Sequence, residues 1–156
     1  MSKLRIGQRR RESGMEFACR VADEAMKLLR RPSGWTQGAF FKEKVVTRKG
    51  ESTAITAYCM MGAIRSAEAK LVKGGPPYTA ALYAETARGM NAEQVGRVLV
   101  RHVLANAIRA ERGQEPTPHP EPHRDESVIT SYNDASKRKK KEVIERFEDL
   151  RGEVCK

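Results

Sequence analysis

Aromatic side chains are scarce in this chain and make up only 6% of its 156 residues, whereas alanine is abundant. Because β-sheets are rich in aromatic and β-branched side chains, this scarcity favours helix packing over a β-sandwich. Long apolar runs are also missing, both after the basic N-terminal residues and elsewhere. A signal peptide and a membrane-spanning helix each need such a run. We therefore expect a soluble protein without a membrane partner.

Cysteine is rare as well, and its three positions are Cys19, Cys59 and Cys155. They are odd in number and form no Cys-x-x-Cys pair, which argues against a disulfide framework and predicts a reducing, cytoplasmic location. His119 and His123 flank Pro-Glu-Pro but lack the further Cys or His of an ordinary zinc site. We expect no metal ion and no cofactor.

Acidic residues are absent from residues 1–11, and the whole chain carries a net charge of +10. Basic runs contact phosphate or another acidic surface, so we expect an acidic macromolecular partner: nucleic acid, a ribonucleoprotein or a host protein. The alternative is a solvated tail and a helix face that keep the protein soluble. Two basic runs account for the excess charge: Lys3, Arg5, Arg9, Arg10 and Arg11 in the first, and Lys137, Arg138, Lys139, Lys140 and Lys141 in the second.

The length fits one domain, with a flexible basic arm at residues 1–14 and a helical domain at residues 15–156. Apolar spacing and helix-breaking residues predict helices over 15–30, 53–72, 78–88, 91–110 and 135–154. A short β-hairpin is expected around residues 40–50, with its turn at Lys49-Gly50. The prolines from Pro116 to Pro122 predict an extended spacer over residues 113–125. The predicted fold class is mainly α, with about five helices.

Three short islands each combine an aromatic residue with a polar group or thiol and small residues. They are Gly-Trp-Thr-Gln-Gly at residues 34–38, Tyr-Cys-Met-Met-Gly-Ala-Ile at 58–64, and Tyr-Asn-Asp at 132–134. In these islands the chain resembles the uncharacterised domain-of-unknown-function family 6197, over roughly residues 17–150. Tyr58 and Tyr132 stand where that family usually has Trp. The resemblance implies the family's fold and a bacterial or phage origin, but no activity.

The islands permit a cysteine-dependent hydrolase or transferase. Cys59 would be the nucleophile, Gln37 an oxyanion donor, and Asn133 the group that orients a histidine base. His102 is a candidate base inside a predicted helix, without a recognisable motif around it. The order Gln, Cys, His, Asn is similar to that of papain-like enzymes, although the gap between residues 37 and 59 is far longer here.

A structural interpretation of the same residues is the alternative. Cys59 is predicted nearly two turns inside the 53–72 helix, where the helix dipole no longer lowers a thiol pKa and a core position is favoured. Asn133 or Asp134 would cap the last helix, with Tyr132 packed against it. The remaining structural assignments are a loop anchor at Trp35 and a close helix–helix contact at Gly62.

We therefore expect, first, a small basic non-enzymatic accessory protein, encoded by a phage or mobile element, that binds its partner through the two basic runs. The alternatives are a cysteine-dependent hydrolase or transferase and a structural component of a larger particle. The sequence leaves the oligomeric state open.

Overall fold

The computed structural model describes residues 12–72 and 91–156, which form five helices and one β-hairpin. The elements are α1 (Gly14–Arg30), β1 (Phe41–Arg48), β2 (Glu51–Tyr58), α2 (Met60–Leu71), α3 (Ala92–Glu111), α4 (Pro122–Asn133) and α5 (Lys140–Val154). The mainly-α fold class is confirmed. The basic run at residues 1–11 and the predicted helix at 78–88 lie outside the described residues. Among the helices that are described, none is long and apolar enough to cross a membrane.

Two helices form where the apolar spacing predicts them, and both begin after a capping residue. α1 follows Ser13, whose hydroxyl accepts a hydrogen bond from the Glu16 amide at 3.1 Å. α3 follows Asn91, which exchanges two hydrogen bonds with Gln94 in a capping box. Such caps satisfy amides that have no partner inside the helix. The predicted bounds of both helices are correct to within about one residue.

The hairpin is longer than expected and replaces the start of the predicted second helix. β1 and β2 pair antiparallel along their whole length, from Phe41↔Tyr58 to Arg48↔Glu51. Lys49 and Gly50 have φ values of 52° and 80°, as a two-residue type I′ turn requires. Residues 52–57 read Ser-Thr-Ala-Ile-Thr-Ala, and their β-branched side chains fit a strand once β1 lies alongside. The prediction of a helix from residue 53 is therefore wrong.

The chain after the prolines also differs from the prediction. Pro122 begins α4, because its fixed φ and missing amide suit the first turn of a helix. The extended spacer therefore ends before residue 122, and α4 continues to Asn133. Asp134 is the C-cap of α4, and α5 begins only at Lys140. The prediction that Asn133 or Asp134 caps the last helix is wrong.

α1 lies at the centre of the core and packs against α2, α3 and α5. Phe17, Val21 and Leu29 on its inner face are at most 2% exposed. Side chains of this size contribute roughly 2 kcal/mol each when they are fully buried. Met61 of α2 and Leu150 of α5 belong to the same cluster. A single apolar core therefore joins the first and last helices of the described fold.

A disulfide joins Cys19 in α1 to Cys155, immediately after α5, with 5.0 Å between the two Cα atoms. The expectation that the three cysteines form no disulfide is therefore wrong. α1 and α5 run antiparallel, so the pair that is 136 positions apart in sequence meets at one end of the two helices. The sequence could not reveal this pairing, because it depends on how the two helices pack. Cys59 remains a free, buried thiol.

Candidate functional site

The three islands meet around the side chain of Asn133, which is completely buried. Its Oδ1 accepts hydrogen bonds from the Trp35 indole at 2.8 Å and from the Met60 amide at 3.0 Å. Its Nδ2 donates to the Thr36 carbonyl at 3.1 Å and to the Asp134 carboxylate at 2.9 Å. One side-chain amide thus joins the loop after α1, the start of α2 and the end of α4.

Gln37 strengthens the same junction. Its Nε2 donates to the carbonyl of Asn133 at 2.8 Å and to the carbonyl of Ala135 at 3.0 Å. The Gly38 amide donates to the Asp134 carboxylate at 3.0 Å. Because Nε2 already makes two hydrogen bonds to backbone oxygens, Gln37 has no amide hydrogen left to stabilise an oxyanion.

Cys59 lies between β2 and α2, where it is the N-cap of α2 and its sulfur accepts a hydrogen bond from the Gly62 amide at 3.2 Å. The predicted position two turns inside a helix is therefore wrong, and the first amides of α2 do reach the thiol. Burial outweighs them, because the residue is only 4% exposed and desolvation raises the pKa of the thiol. A buried, neutral thiol is a weak nucleophile.

Gly62 allows the closest backbone approach at this junction. A Cβ atom on Gly62 would lie 1.8 Å from the carbonyl oxygen of Phe40, and the Cys59 amide donates to that same oxygen at 3.1 Å. The close contact predicted at Gly62 is thus made with the backbone that precedes β1, and the prediction of a second helix as its partner is wrong. Only glycine lets α2 sit this near the base of the hairpin.

His102 belongs to a different polar cluster, between α3 and α4. Its Nδ1 lies 3.3 Å from the buried Asp125 carboxylate, and its Nε2 lies 3.3 Å from the Asn106 amide. Asp125 also pairs with Arg109 at 3.0 Å. Within the described part of the chain, His102 makes no hydrogen bond to Cys59, so the predicted base and nucleophile are not brought together.

Two surface grooves lie away from the thiol. The larger runs between α3 and α5 with a volume of about 830 Å³, and the smaller, of about 450 Å³, follows α4. Neither groove is lined by Cys59, Gln37 or His102. The candidate catalytic residues are therefore not accessible from either groove.

A buried charge network lies between α2, α3 and α4, and none of its residues is among the candidates from the sequence. Arg101 is completely buried, and its two terminal nitrogens bind both carboxylate oxygens of Glu68 at 2.7 and 2.8 Å. Its Nε lies 3.3 Å from Glu126, which also pairs with Arg65 at 2.8 Å. No motif marks these residues, because charged side chains on helices are ordinarily exposed. The available signal was the i, i+4 spacing of Arg97 and Arg101, which places both on one side of α3.

One group in the described part has donor atoms spaced for a metal ion: those of Cys19, Asp23 and Cys155 lie within 4.8 Å of one another. The two sulfurs are bonded to each other, and Asp23 pairs with Arg151 at 2.8 Å. In its disulfide form this group offers no thiolate to a metal.

The hairpin contributes cations that were not among the predicted binding residues. Lys42, Lys44 and Arg48 occupy alternate positions of β1, so their side chains lie on the same face of the ribbon. The Lys44 ammonium donates to the Trp35 carbonyl at 2.9 Å. This bond holds the Lys44 side chain against the loop after α1, which contains the first island at residues 34–38. β1, which the sequence predicted only as part of a short hairpin, therefore has one face that carries three cations.

This cationic face extends onto α5 through Lys140. The Lys140 ammonium donates to the Arg31 carbonyl at 2.6 Å. Its pKa is lowered, first by burial and then by the positive charge of Lys44. Lys44 and Lys140 thus bind carbonyls of the same loop, the one that follows α1. The name basic surface is used below for the cations of the hairpin face and of the 137–141 run, namely Lys42, Lys44, Arg48, Lys137, Lys139, Lys140 and Lys141.

Arg138 differs from its neighbours because it is engaged in the fold. Its guanidinium stacks 3.5 Å from the centroid of the Tyr132 ring, and its Nε donates to the Tyr132 carbonyl at 2.9 Å. It also pairs with Glu142 at 2.9 Å. Lys137 is exposed in the turn before α5, with a φ of 65°, so only the later part of the predicted run lies in the helix.

Residues 18–152 match the sequence profile of a protein family of unknown function, DUF6197. The chain therefore belongs to this family. The matched range includes all three islands and confirms the resemblance drawn from them. No curated protein and no solved structure matches the chain significantly. The family description states no activity.

Proposed function

We propose that this member of the family is a small non-enzymatic accessory protein that binds nucleic acid through the phosphate backbone. The observation that carries the proposal is that Lys44 on the hairpin and Lys140 on α5 both donate to carbonyls of the loop after α1, those of Trp35 and Arg31. Two cationic segments that are far apart in sequence thereby join in the basic surface. Nucleic acid presents closely and regularly spaced phosphates, which a continuous group of ammonium ions neutralises well.

Within the described fold no cation of the basic surface forms an ion pair with a carboxylate, although Glu51 lies opposite Arg48 on the same hairpin face. The lysines that pair with carboxylates in residues 12–72 and 91–156 are Lys27, Lys70 and Lys156, which all lie outside this surface. Lys44 and Lys140 bind backbone carbonyls instead, so their positive charges remain uncompensated. A polyanion would relieve their mutual repulsion and release its own condensed counterions on binding.

The shape of the hairpin supports the same partner. Eight-residue strands extend about 26 Å at ~3.3 Å per residue, and the major groove of B-DNA admits a two-stranded ribbon. Residues 47–54 around the tip are all exposed. The basic run at residues 1–11 would add five positive charges to the binding energy.

Two finer expectations accompany this proposal. A phage or mobile-element origin rests on the family resemblance. A cytoplasmic location rests on the absence of Cys-x-x-Cys pairs, and the Cys19–Cys155 disulfide weakens that argument.

Fluorescence anisotropy with a labelled DNA duplex, and with an RNA of the same sequence, tests the proposal. The double variant Lys42→Gln, Lys141→Gln removes two exposed charges of the basic surface. We expect weaker binding, with the slope of log affinity against log salt reduced by about 2, since each lost phosphate contact removes about 1. Stronger binding to one of the two probes would identify the preferred nucleic acid.

The matched control is Lys156→Gln, whose side chain is 66% exposed. It removes one positive charge about 24 Å further along the α5 direction than Lys140, at ~1.5 Å per residue. The control should bind like the parent chain. A reduction of the salt slope by about 1 in the control, half that of the double variant, would show that net charge alone matters and contradict a defined surface. Absence of salt-dependent binding to either probe would overturn the proposal in favour of a protein partner.

A further inference from the structure

The outer edge of β2 presents backbone groups that have no partner in the described fold. The Tyr58 amide donates to the Gly34 carbonyl, and the Tyr58 carbonyl accepts from the Thr36 amide, so both groups of Tyr58 point away from β1. Backbone groups in an antiparallel ladder alternate in direction along the strand. The backbone amides and carbonyls of Ser52, Ala54 and Thr56 therefore point to the same outer edge as those of Tyr58. They lie beyond the short contact that Tyr58 makes with residues 34–36.

The two edges of the hairpin differ sharply in charge. β1 carries Lys42, Glu43, Lys44 and Arg48, and charged side chains ordinarily protect a free edge from pairing with another strand. Residues 52–57 of β2 carry no charge, no proline and no glycine. An uncharged edge of this kind suits another neutral strand, because it has no cation to attract a phosphate and no like charge to repel a second copy.

We infer that β2 pairs antiparallel with β2 of a second copy of this chain, around a two-fold axis at Ala54. In this register Ala54 faces Ala54, and Ser52 of each copy faces Thr56 of the other. Every outward-pointing residue then meets another outward-pointing residue, so the amides and carbonyls satisfy one another in pairs. The segment is self-complementary, as a two-fold interface requires.

The pairing would give a four-stranded sheet in the order β1, β2, β2, β1. Isolated two-stranded hairpins are marginally stable, and this one exposes 73% of Val45 near its middle. A two-fold axis perpendicular to the sheet keeps the cationic faces of both hairpins on the same side. The dimer would therefore double the basic surface, a consequence that rests on the proposed function, whereas the pairing itself does not.

Sedimentation of the full chain without nucleic acid tests the pairing directly, with a matched pair of proline variants. Ala54 and Val45 are register partners, and both of their amides point away from the hairpin ladder. Ala54→Pro and Val45→Pro therefore remove an amide from opposite edges without breaking a bond between β1 and β2. We expect the parent chain and Val45→Pro to reach twice the chain mass of 17.5 kDa with rising concentration. Ala54→Pro should remain at the mass of one chain.

Ala54→Lys provides a second test that avoids proline strain, because it places two ammonium groups face to face across the axis. It should also remain monomeric, with a circular dichroism spectrum like that of the parent chain. A parent chain that stays monomeric at every concentration would overturn the inference. So would dimerisation that survives both Ala54 variants, or that is lost in Val45→Pro alone. Because no nucleic acid is present, these outcomes are independent of the test of nucleic-acid binding.

Discussion

At the scale of single residues, buried polar side chains decide how the loops attach to the helices. Asn133 is the clearest case, since both atoms of its amide group are fully used and it contacts three separate segments. An aspartate there would lose both donated bonds, and a hydrophobic residue would lose all four. Hydrogen-bond geometry therefore accounts for the residue types at Trp35 and Asn133.

Replacing Asn133 with Ala should strongly destabilise the fold. The Trp35 indole and the Met60 amide would lose their buried acceptor, and unsatisfied groups of this kind cost about 1–3 kcal/mol each. We expect the free energy of unfolding to fall by about 4 kcal/mol, measured by urea denaturation followed by circular dichroism. The control is Asn91→Ala, which removes an exposed helix cap and should cost about 1 kcal/mol. Equal losses in the two variants would refute the junction role of Asn133.

At the scale of elements, the base of the hairpin is defined by a glycine rather than by apolar packing. α2 approaches the Phe40 carbonyl at Gly62 so closely that no side chain fits between them. The approach also sets the position of Cys59, because the two residues share one turn at the start of α2. The hairpin and α2 therefore behave as one unit.

Gly62→Ala should force α2 and the hairpin apart. Its new Cβ would lie 1.8 Å from a backbone oxygen that cannot rotate away, and we expect a loss of about 3 kcal/mol in unfolding free energy. Gly152→Ala in α5 is the matched control, because nothing lies within 4 Å of its added methyl group. That variant should be stabilised by up to about 1 kcal/mol, since alanine is the better helix former. Thermal unfolding of both variants gives the comparison.

The sequence predicted those elements whose signals are local. Ser13 and the Asn91–Gln94 pair cap helices through contacts within one turn, so α1 and α3 were predicted nearly correctly. Residues 53–58 were predicted as helix, because their strand pairing depends on β1 rather than on their own propensities. For the site, the residue types of the islands were recognisable. Their partners were not recognisable, because the hydrogen bonds that Asn133 accepts from Trp35 and Met60 span 98 and 73 positions.

At the scale of the whole molecule, two antiparallel helices with a disulfide at one end hold the fold together. The Lys140 ammonium contacts the Arg31 carbonyl at one end of the α1–α5 pair, and Cys19 is bonded to Cys155 at the other. The apolar core lies between these two points. The odd number of cysteines argued against a disulfide framework, but three cysteines still allow one disulfide and one free thiol, as found here.

Cys19→Ser should lower the free energy of unfolding by about 5 kcal/mol, because the open chain gains the entropy that closing a loop of this length removes. The parent chain in excess dithiothreitol should unfold at the same urea concentration as the variant. Cys59→Ser is the control, since it replaces a free thiol and should change stability by less than about 1 kcal/mol. A parent chain unaffected by reductant would show that the bond contributes nothing to stability.

The same bond also determines how the molecule bears mechanical load. Tension applied to the chain outside the bridge, before Cys19 and after Cys155, passes directly from one sulfur to the other. The residues between Cys19 and Cys155, which include the hairpin and the contacts of Asn133, carry none of this force. A motor that threads polypeptide through a narrow pore would therefore stall at Cys155 or have to draw in two strands together. Reduction of the Cys19–Cys155 disulfide would open this loop, so that the motor could draw in the chain as a single strand.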